Sequence, residues 1–305
     1  MTKKTLAISV GDLNGVGIEI ALKAHSEVKE LCHPLYCINQ ALLSQAAKLL
    51  NVTIPTDFKT QDVAGELTIN PGQVDALSGR YSYDSFMEGI KLCEEKKADG
   101  VVTMPIHKEA WMRAGLEYKG HTDLLRQHFN AEAIMMLGCE KMYVALVTEH
   151  IPLREVTKVI KYKMLKPFLR DFSKAIPKEQ VAVLGINPHA GDNGVLGDED
   201  MRIKKAIKSM NKELGWEQFV GPIVPDVAFT PHFRENFRYF VAMYHDQGLA
   251  PLKALYFDES VNISLNLPIV RTSVDHGTAF DIAYKGRAKT LSYVNAINSA
   301  ITLIL

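Results

Sequence analysis

Three histidines close apolar stretches in the second half of the chain, and their type and placement suit metal chemistry. Residues 142–148 run on to His150, residues 181–186 lead to Pro188 and His189, and residues 240–244 end at His245. Each stretch has the composition of a buried strand followed by a polar loop. In an open parallel sheet, ligands bind beyond the carboxyl ends of the strands. Three imidazoles that leave a fourth position open suit a catalytic metal. The same residues also read as ordinary strand-end histidines, satisfied at a surface or supporting a neighbour. They lie far apart in sequence and carry no local ligand spacing, so repeated placement alone supports the metal.

Four other segments have residue types that hold anions or move protons. Gly11-Asp12-Leu13-Asn14-Gly15-Val16-Gly17 follows the first strand and opens the first helix, where glycines and helix amides favour an anion. Its spacing is neither the dinucleotide fingerprint nor a P-loop, and a plain tight turn is the competing reading. Gly120-His121-Thr122-Asp123 looks like a helix start with a hydroxyl and a carboxylate in its first turn. There His121 is either an inert loop residue or, with Thr122, a substrate clamp. The string from Tyr244 to Lys253 is rich in polar groups for a connection. Its His245-Asp246 pair can bind metal and orient or accept protons, and Lys253 adds a point charge for phosphate or carboxylate. The alternative is a solvated loop. The run from Arg271 to Gly286 joins an arginine able to grip phosphate in two places to a glycine-centred turn with hydroxyls and an aspartate.

The elements that must position these groups alternate. Strands are expected at 5–10, 34–39, 100–104, 142–148, 181–186 and 240–244. Helices are expected at 15–30, 41–50, 81–96, 107–114, 164–175, 199–214 and 290–305. Residues 52–79 interrupt the alternation and have room for short strands. Nearly uniform apolar strands alternating with helices imply a parallel sheet covered on both faces. No repeat or linker rich in Pro, Gly or Ser divides the chain, so two closely joined α/β lobes are expected.

Bulk composition excludes other classes. The 305 residues are 47% hydrophobic and 23% charged, as in an ordinary globular enzyme. Lys+Arg and Asp+Glu both number 35, which does not point to nucleic acid or a membrane as partner. Cys32, Cys37, Cys93 and Cys139 lack paired spacing and suit reduced, buried thiols. The N-terminal apolar run is too short for a signal peptide or a membrane span, so a cytoplasmic protein is expected.

HGTAFDIAYKG, from His276 to Gly286, resembles the adenosine-binding loop HG-S/T-A-x-DIAGKG of the isocitrate and isopropylmalate dehydrogenases. GDLNGVGIE, TMPIHK, GHTDLL, NPHAGDNG, YHDQGLAPLK and RTSVDHGTAFDIA, in that order, resemble one branch, the 4-hydroxythreonine-4-phosphate dehydrogenases. The resemblance covers Gly11 to Gly286. It implies a two-lobed α/β/α fold with mostly parallel sheets and no Rossmann fingerprint. We place one lobe at 1–120 plus 262–305 and the other at 121–261, with the active site expected in the cleft and at a homodimer interface. It further implies NAD or NADP and one divalent ion, such as Zn, Mg or Co. Carried over, the metal ligands fall on His150, His189 and His245, drawn from both subunits. Substrate contacts fall on His121, Thr122, Lys253, Asn262 and Arg271, and cofactor contacts on His276, Gly277, Thr278, Ala279 and Asp281. Asp246 is the expected general base or a partner of the metal site, with Lys253 beside it. Leu13, Asn14 and Ile18 depart from the usual first loop, and Tyr284 stands where a glycine is usual.

The reaction implied is oxidation of 4-phosphooxy-L-threonine and loss of CO2 to give 3-amino-2-oxopropyl phosphate, in pyridoxal 5'-phosphate biosynthesis. Two alternatives stay open. One is a related enzyme acting on 4-phospho-D-threonate or 4-phospho-D-erythronate; the other is a non-enzymatic metal-binding protein on the same scaffold.

Overall fold

Thr5–Ser9 (β1) is buried after its first residue, the signature of a strand covered on both faces. The computed structural model describes residues 3–304. Met1, Thr2 and Leu305, at the ends of the expected N-terminal run and last helix, lie outside the described residues. The chain divides into two units, Met1–Ala131 with Val261–Ile263 and Leu267–Leu305, and Glu132–Ser260 with Ser264–Asn266.

In the first unit β1 is followed by α1 (Gly17–Leu31), β2 (His33–Cys37), α2 (Gln40–Leu50), β3 (Thr60–Gln61) and α3 (Ala76–Glu94). Then come β4 (Gly100–Thr103), α4 (Lys108–Arg113) and α5 (His121–Phe129). Asn39 caps α2 by accepting from the Leu42 amide at 2.9 Å, and Asn51 ends it in the left-handed region at φ +53°. The strand order is β3-β2-β1-β4, continued by β11 (Val270–Val274), and the pairings between them are parallel. Register sets Ser9 beside Thr103 and Thr103 beside Ser273. The loops leaving β1, β4 and β11 therefore emerge together at one carboxyl edge. The C-terminal helix of this unit is Leu291–Leu303.

The second unit begins with β5 (Ile134–Cys139) and β6 (Met142–Leu146) and continues with α6 (Leu153–Val159), α7 (Tyr162–Ala175) and β7 (Val181–Leu184). After these come α8 (Glu199–Leu214), β8 (Phe219–Ile223), α9 (Pro225–Ala228), α10 (Pro231–Arg234), β9 (Tyr239–Ala242) and α11 (His245–Tyr256). The order is β5-β6-β9-β7-β8. β9 pairs in parallel with β6 and with β7, so the segments bearing His150, His189 and His245 leave the carboxyl ends of three adjacent strands. Val144, Leu146, Ala182, Leu184, Phe240 and Ala242 form the core beneath that edge. β10 (Val261–Leu265) has residues in both units.

The structure corrects several sequence expectations, while the antiparallel pair β5 and β6 accords with the mostly parallel sheet expected. A Cβ on Gly138 would lie 2.0 Å from the Met142 carbonyl oxygen, which restricts this hairpin position to glycine. The string Tyr244–Lys253 is a helix start and not a solvated loop, with His245 as its first helical residue. Gly248 and Pro251 disguise that helix in the sequence. A Cβ at Gly248 would meet Val144 Cγ1 at 2.5 Å and Ala242 Cβ at 2.8 Å, so glycine seats α11 against β6 and β9. Arg271 lies inside strand β11 and not in a loop. α3 starts at Ala76 rather than at Tyr81, because Asp75 caps it and Gly79 allows close contact with the Ala110 carbonyl. The four cysteines are buried and free, as expected.

Candidate active site

Arg271 is a buried cation, 2% exposed, in the middle of a sheet. β11 carries it, and its Nη2 donates to Thr103 Oγ1 at 2.8 Å on neighbouring β4. Its Nη1 donates to Asn262 Oδ1 at 3.4 Å. Both of these acceptors are neutral. Burial pushes the guanidinium pKa down to about 9, still charged at neutral pH. A desolvated guanidinium held by neutral oxygens is stabilised when an anion joins it.

His121 stands at the first turn of α5, as its sequence context predicts, with Thr122 buried beside it. Phe86 and Trp111 meet its ring edge-on, with centroids at 4.7 and 5.8 Å. The ring's Nε2 is buried and makes no hydrogen bond. Burial first, and the Arg271 charge second, hold the imidazole well below the ordinary histidine pKa. It is a neutral group with an unmet hydrogen-bonding nitrogen, electrostatically coupled to a buried arginine.

The first loop and the segment from His276 to Gly286 are tied together. The Val16 amide donates to the Thr278 carbonyl at 3.0 Å, and a Cβ on Gly15 would fall 2.8 Å from that same oxygen. A Cβ on Gly17 would meet the Val10 carbonyl at 2.5 Å. These glycines therefore serve close backbone packing, which favours the tight-turn reading of the loop. Ile18 is wholly buried in α1, so packing explains that departure from the usual loop. Asp12 is buried, and its Oδ1 accepts from the Ser78 hydroxyl and the Asn14 amide. Burial raises its carboxyl pKa. Phe280 stacks on His107 at 4.8 Å between centroids, which joins the end of β4 to the same edge. Ala279 is left-handed at φ +44°, the His276 ring is bonded to the Gly277 carbonyl, and Asp281 is exposed.

In the second unit His150 and His245 come together, with ring centroids 5.3 Å apart. Asp246 Oδ1 bonds His245 Nδ1 at 2.7 Å, leaving Nε2 of that ring for another partner. His189 sits on a different kind of support. From His189 to Asn193 five consecutive residues have φ between +43° and +80°, a left-handed turn that L residues resist. Asp200 anchors its start, accepting from the Ile186 amide at 2.8 Å, the Asn187 amide at 3.1 Å and Asn187 Nδ2 at 2.9 Å. Gln247 accepts from the Met243 amide and donates to the Gly185 carbonyl, bracing the ends of β9 and β7. Lys253 lies two turns along α11, over the Phe257 ring at 5.4 Å. The two imidazoles are thus neighbours at this edge, the residue type that could hold a metal ion. Among the described residues no group of three His, Cys, Asp or Glu side chains is arranged to hold a metal, so His189 does not complete the set within one chain.

Sequence reasoning missed Thr103, His107, Asp200 and Gln247. TMPIHK holds the first two and stands at a strand end, a placement that gave a usable signal. Asp200 reads as a surface polar residue on a helix and Gln247 as part of a polar connection, and only the fold shows their contacts with backbone amides and carbonyls.

The model of the pyridoxal phosphate biosynthetic protein PdxA family matches residues 30–300. A protein of Sulfurimonas denitrificans named 4-hydroxythreonine-4-phosphate dehydrogenase is 70% identical over 303 residues, covering 99% of each chain. Its namesake in Campylobacter fetus subsp. fetus is 55% identical over 304 residues, again covering 99% of each. The crystal structure of the enzyme of that name from Klebsiella pneumoniae superposes with a TM-score of 0.84 at 31% identity, covering 99% of this chain and 100% of that one. Isocitrate dehydrogenase from Methylococcus capsulatus, 15% identical with a TM-score of 0.51, shares the fold. These likenesses run through the segments that bear Arg271, His121 and the strand-end histidines, and the chain belongs to the PdxA family of pyridoxal phosphate biosynthetic proteins.

Proposed function

We propose that the protein is a 4-hydroxythreonine-4-phosphate dehydrogenase of pyridoxal 5'-phosphate biosynthesis, oxidising 4-phosphooxy-L-threonine at C3 with a nicotinamide cofactor. The observation that carries this reading is the buried, charged Arg271 beside neutral His121, in a chain 70% identical end to end to a protein of that name. A nicotinamide cofactor held by residues 276–279 and Asp281 would supply the acceptor for the C3 hydride, while the C3 hydroxyl gives up its proton to a base. The ketone so formed lies β to the carboxylate. The C1–C2 bond then breaks, CO2 leaves, its electron pair is held as the enolate, and protonation at C2 gives 3-amino-2-oxopropyl phosphate.

Each residue has a part in this scheme. Arg271 and Lys253 hold the anionic groups of the substrate, and the two-pronged guanidinium is matched to phosphate. Asn262 orients Arg271, and His121 and Thr122 complete the substrate contacts through the imidazole Nε2 and the hydroxyl. Residues 276–279 and Asp281 form the cofactor segment. Asp246 fixes the tautomer of His245 and is the candidate proton acceptor.

The paired imidazoles of His150 and His245 suit a divalent ion such as Zn, Co or Mg, but among the described residues of one chain no third ligand joins them. A homodimer in which His189 comes from the second copy meets that shortfall. A divalent ion bound there supplies charge that eases loss of a hydroxyl proton near neutral pH. No described helix is long and apolar enough to cross a membrane; we place the enzyme in the cytoplasm on the strength of its metabolic role.

The test is an assay with purified protein and synthetic 4-phosphooxy-L-threonine, following reduced cofactor at 340 nm and released CO2 together. Turnover confined to 4-phospho-D-threonate or 4-phospho-D-erythronate would instead support the related-enzyme reading.

A further inference from the structure

Tyr284 occupies a backbone position made for glycine. Its φ is +60°, in the left-handed region that a side chain with a Cβ resists. A bulky residue persists there when its surroundings compensate. The compensation is visible: Tyr284 Oη donates to the Leu13 carbonyl at 2.8 Å, in a side chain that is largely buried. Burial, with the Asp12 and Glu19 charges next, keeps the phenol pKa far above its ordinary value, so the hydroxyl remains a donor.

The acceptor side of this bond is itself well fixed. Leu13 is wholly buried. Next to it, Asn14 accepts from the Asn70 amide at 2.8 Å through Oδ1, donates through Nδ2 to the Gln73 carbonyl at 2.8 Å, and takes the Gly72 amide on its own carbonyl. Two of the four departures from the family's usual residues, Leu13 and Tyr284, therefore meet in one hydrogen bond, and a third, Asn14, braces the loop next to it. On the other strand of the contact, Lys23 Nζ donates to the Gly286 and Ala288 carbonyls and Glu19 accepts the Ala288 amide. The segment assigned to the cofactor precedes these fastenings and is itself held at the Thr278 carbonyl, which accepts from the Val16 amide at 3.0 Å.

We propose that Tyr284 is a positioning residue for the nicotinamide cofactor: its hydroxyl latches residues 276–286 onto the first loop at Leu13, so that the cofactor segment holds its binding shape before the cofactor arrives. This rests on the assignment of residues 276–281 to the cofactor. Preforming a loop removes part of the ordering entropy that binding otherwise costs. Loss of the latch therefore weakens cofactor binding more than it slows a saturated enzyme.

The test uses full-length wild type, Tyr284→Phe and Tyr284→Gly. NADH and NADPH binding is titrated by fluorescence, alongside kcat, both KM values and thermal stability. Tyr284→Phe removes only the hydroxyl; Tyr284→Gly also relieves the backbone, which separates latching from folding. The expected result is a dissociation constant and a cofactor KM about fivefold higher in both variants, the scale of one lost hydrogen bond. The KM for the phosphorylated substrate and the saturated kcat stay within about twofold of wild type, and Tyr284→Gly melts no lower than Tyr284→Phe. Unchanged cofactor affinity in both variants would overturn the latch. So would a fall in kcat and a rise in both KM values that merely track lost thermal stability. Wild type that binds neither NADH nor NADPH would remove the cofactor assignment itself, a failure distinguishable from the first two because it precedes any substitution.

Discussion

Arg271 Nη2 and Thr103 Oγ1 are 2.8 Å apart, joining residues 168 positions distant in sequence across two neighbouring parallel strands. The bond aims a buried guanidinium along the edge that carries the candidate site. Burial imposes a desolvation penalty on the guanidinium, and its hydrogen bonds to Thr103 and Asn262 offset part of it.

Arg271→Lys is expected to keep the charge and lose the fork. Its kcat/KM for the phosphorylated substrate should fall by roughly 10- to 100-fold, as for loss of one charged hydrogen bond. The companion measurement uses substrate without phosphate. Wild type should lose far more activity than Arg271→Ala on that change, and equal losses in the two would contradict a phosphate contact.

His121 makes stability depend on pH in a known direction. Its folded pKa lies well below the ordinary value, so the unfolded chain binds the proton first as pH falls. The stability attached to this group is whole above the unfolded histidine pKa, near 6.5, and is lost as pH drops below it. One such proton contributes a slope of at most about 1.4 kcal/mol per pH unit. Urea unfolding between pH 5 and pH 7 should show this slope for wild type and a shallower one for His121→Gln. Parallel profiles would mean that His121 takes up its proton in the folded state.

The imidazole pair carries a prediction about metal content. His150→Ala and His245→Ala should each sharply lower stoichiometric Zn or Co measured by elemental analysis, because each removes one of the two paired imidazoles proposed to hold the ion. His189→Ala should do the same only where the protein is a dimer. Full metal occupancy in all three variants would contradict the assignment.

Asp200 is predicted to stabilise the left-handed turn that carries His189. Asp200→Ala leaves the Ile186 and Asn187 amides without their acceptor and should lower unfolding free energy by about 3 kcal/mol. Unchanged urea unfolding would show that the turn needs no such anchor.

Much of this arrangement was legible in the sequence where hydrophobic period and position agreed. α8 matches its expected bounds of 199–214, because Ile203, Ala206, Ile207 and Met210 form one buried apolar stripe. The strand ends before His150, His189 and His245 were also readable, since each follows an uninterrupted apolar run. α11 was not: Gly248 and Pro251 sit in it for contact reasons that only the packed sheet reveals. β10 and β11 are five residues each and half polar, and without knowledge of their neighbours VNISL and VRTSV look like loop. Pairings such as Arg271 with Thr103, or Tyr284 with Leu13, have no sequence signal, because tertiary register alone brings them together.

The measurement that bears most directly on the proposed activity is a metal-stripping and add-back assay on synthetic 4-phosphooxy-L-threonine, reading NADH or NADPH and CO2 in the same sample. The account predicts reduced cofactor and CO2 in equal amounts, loss of both on chelation, and recovery of both when Zn, Co or Mg is restored. Reduced cofactor without CO2, or no turnover with either cofactor after any of these ions is restored, would contradict it.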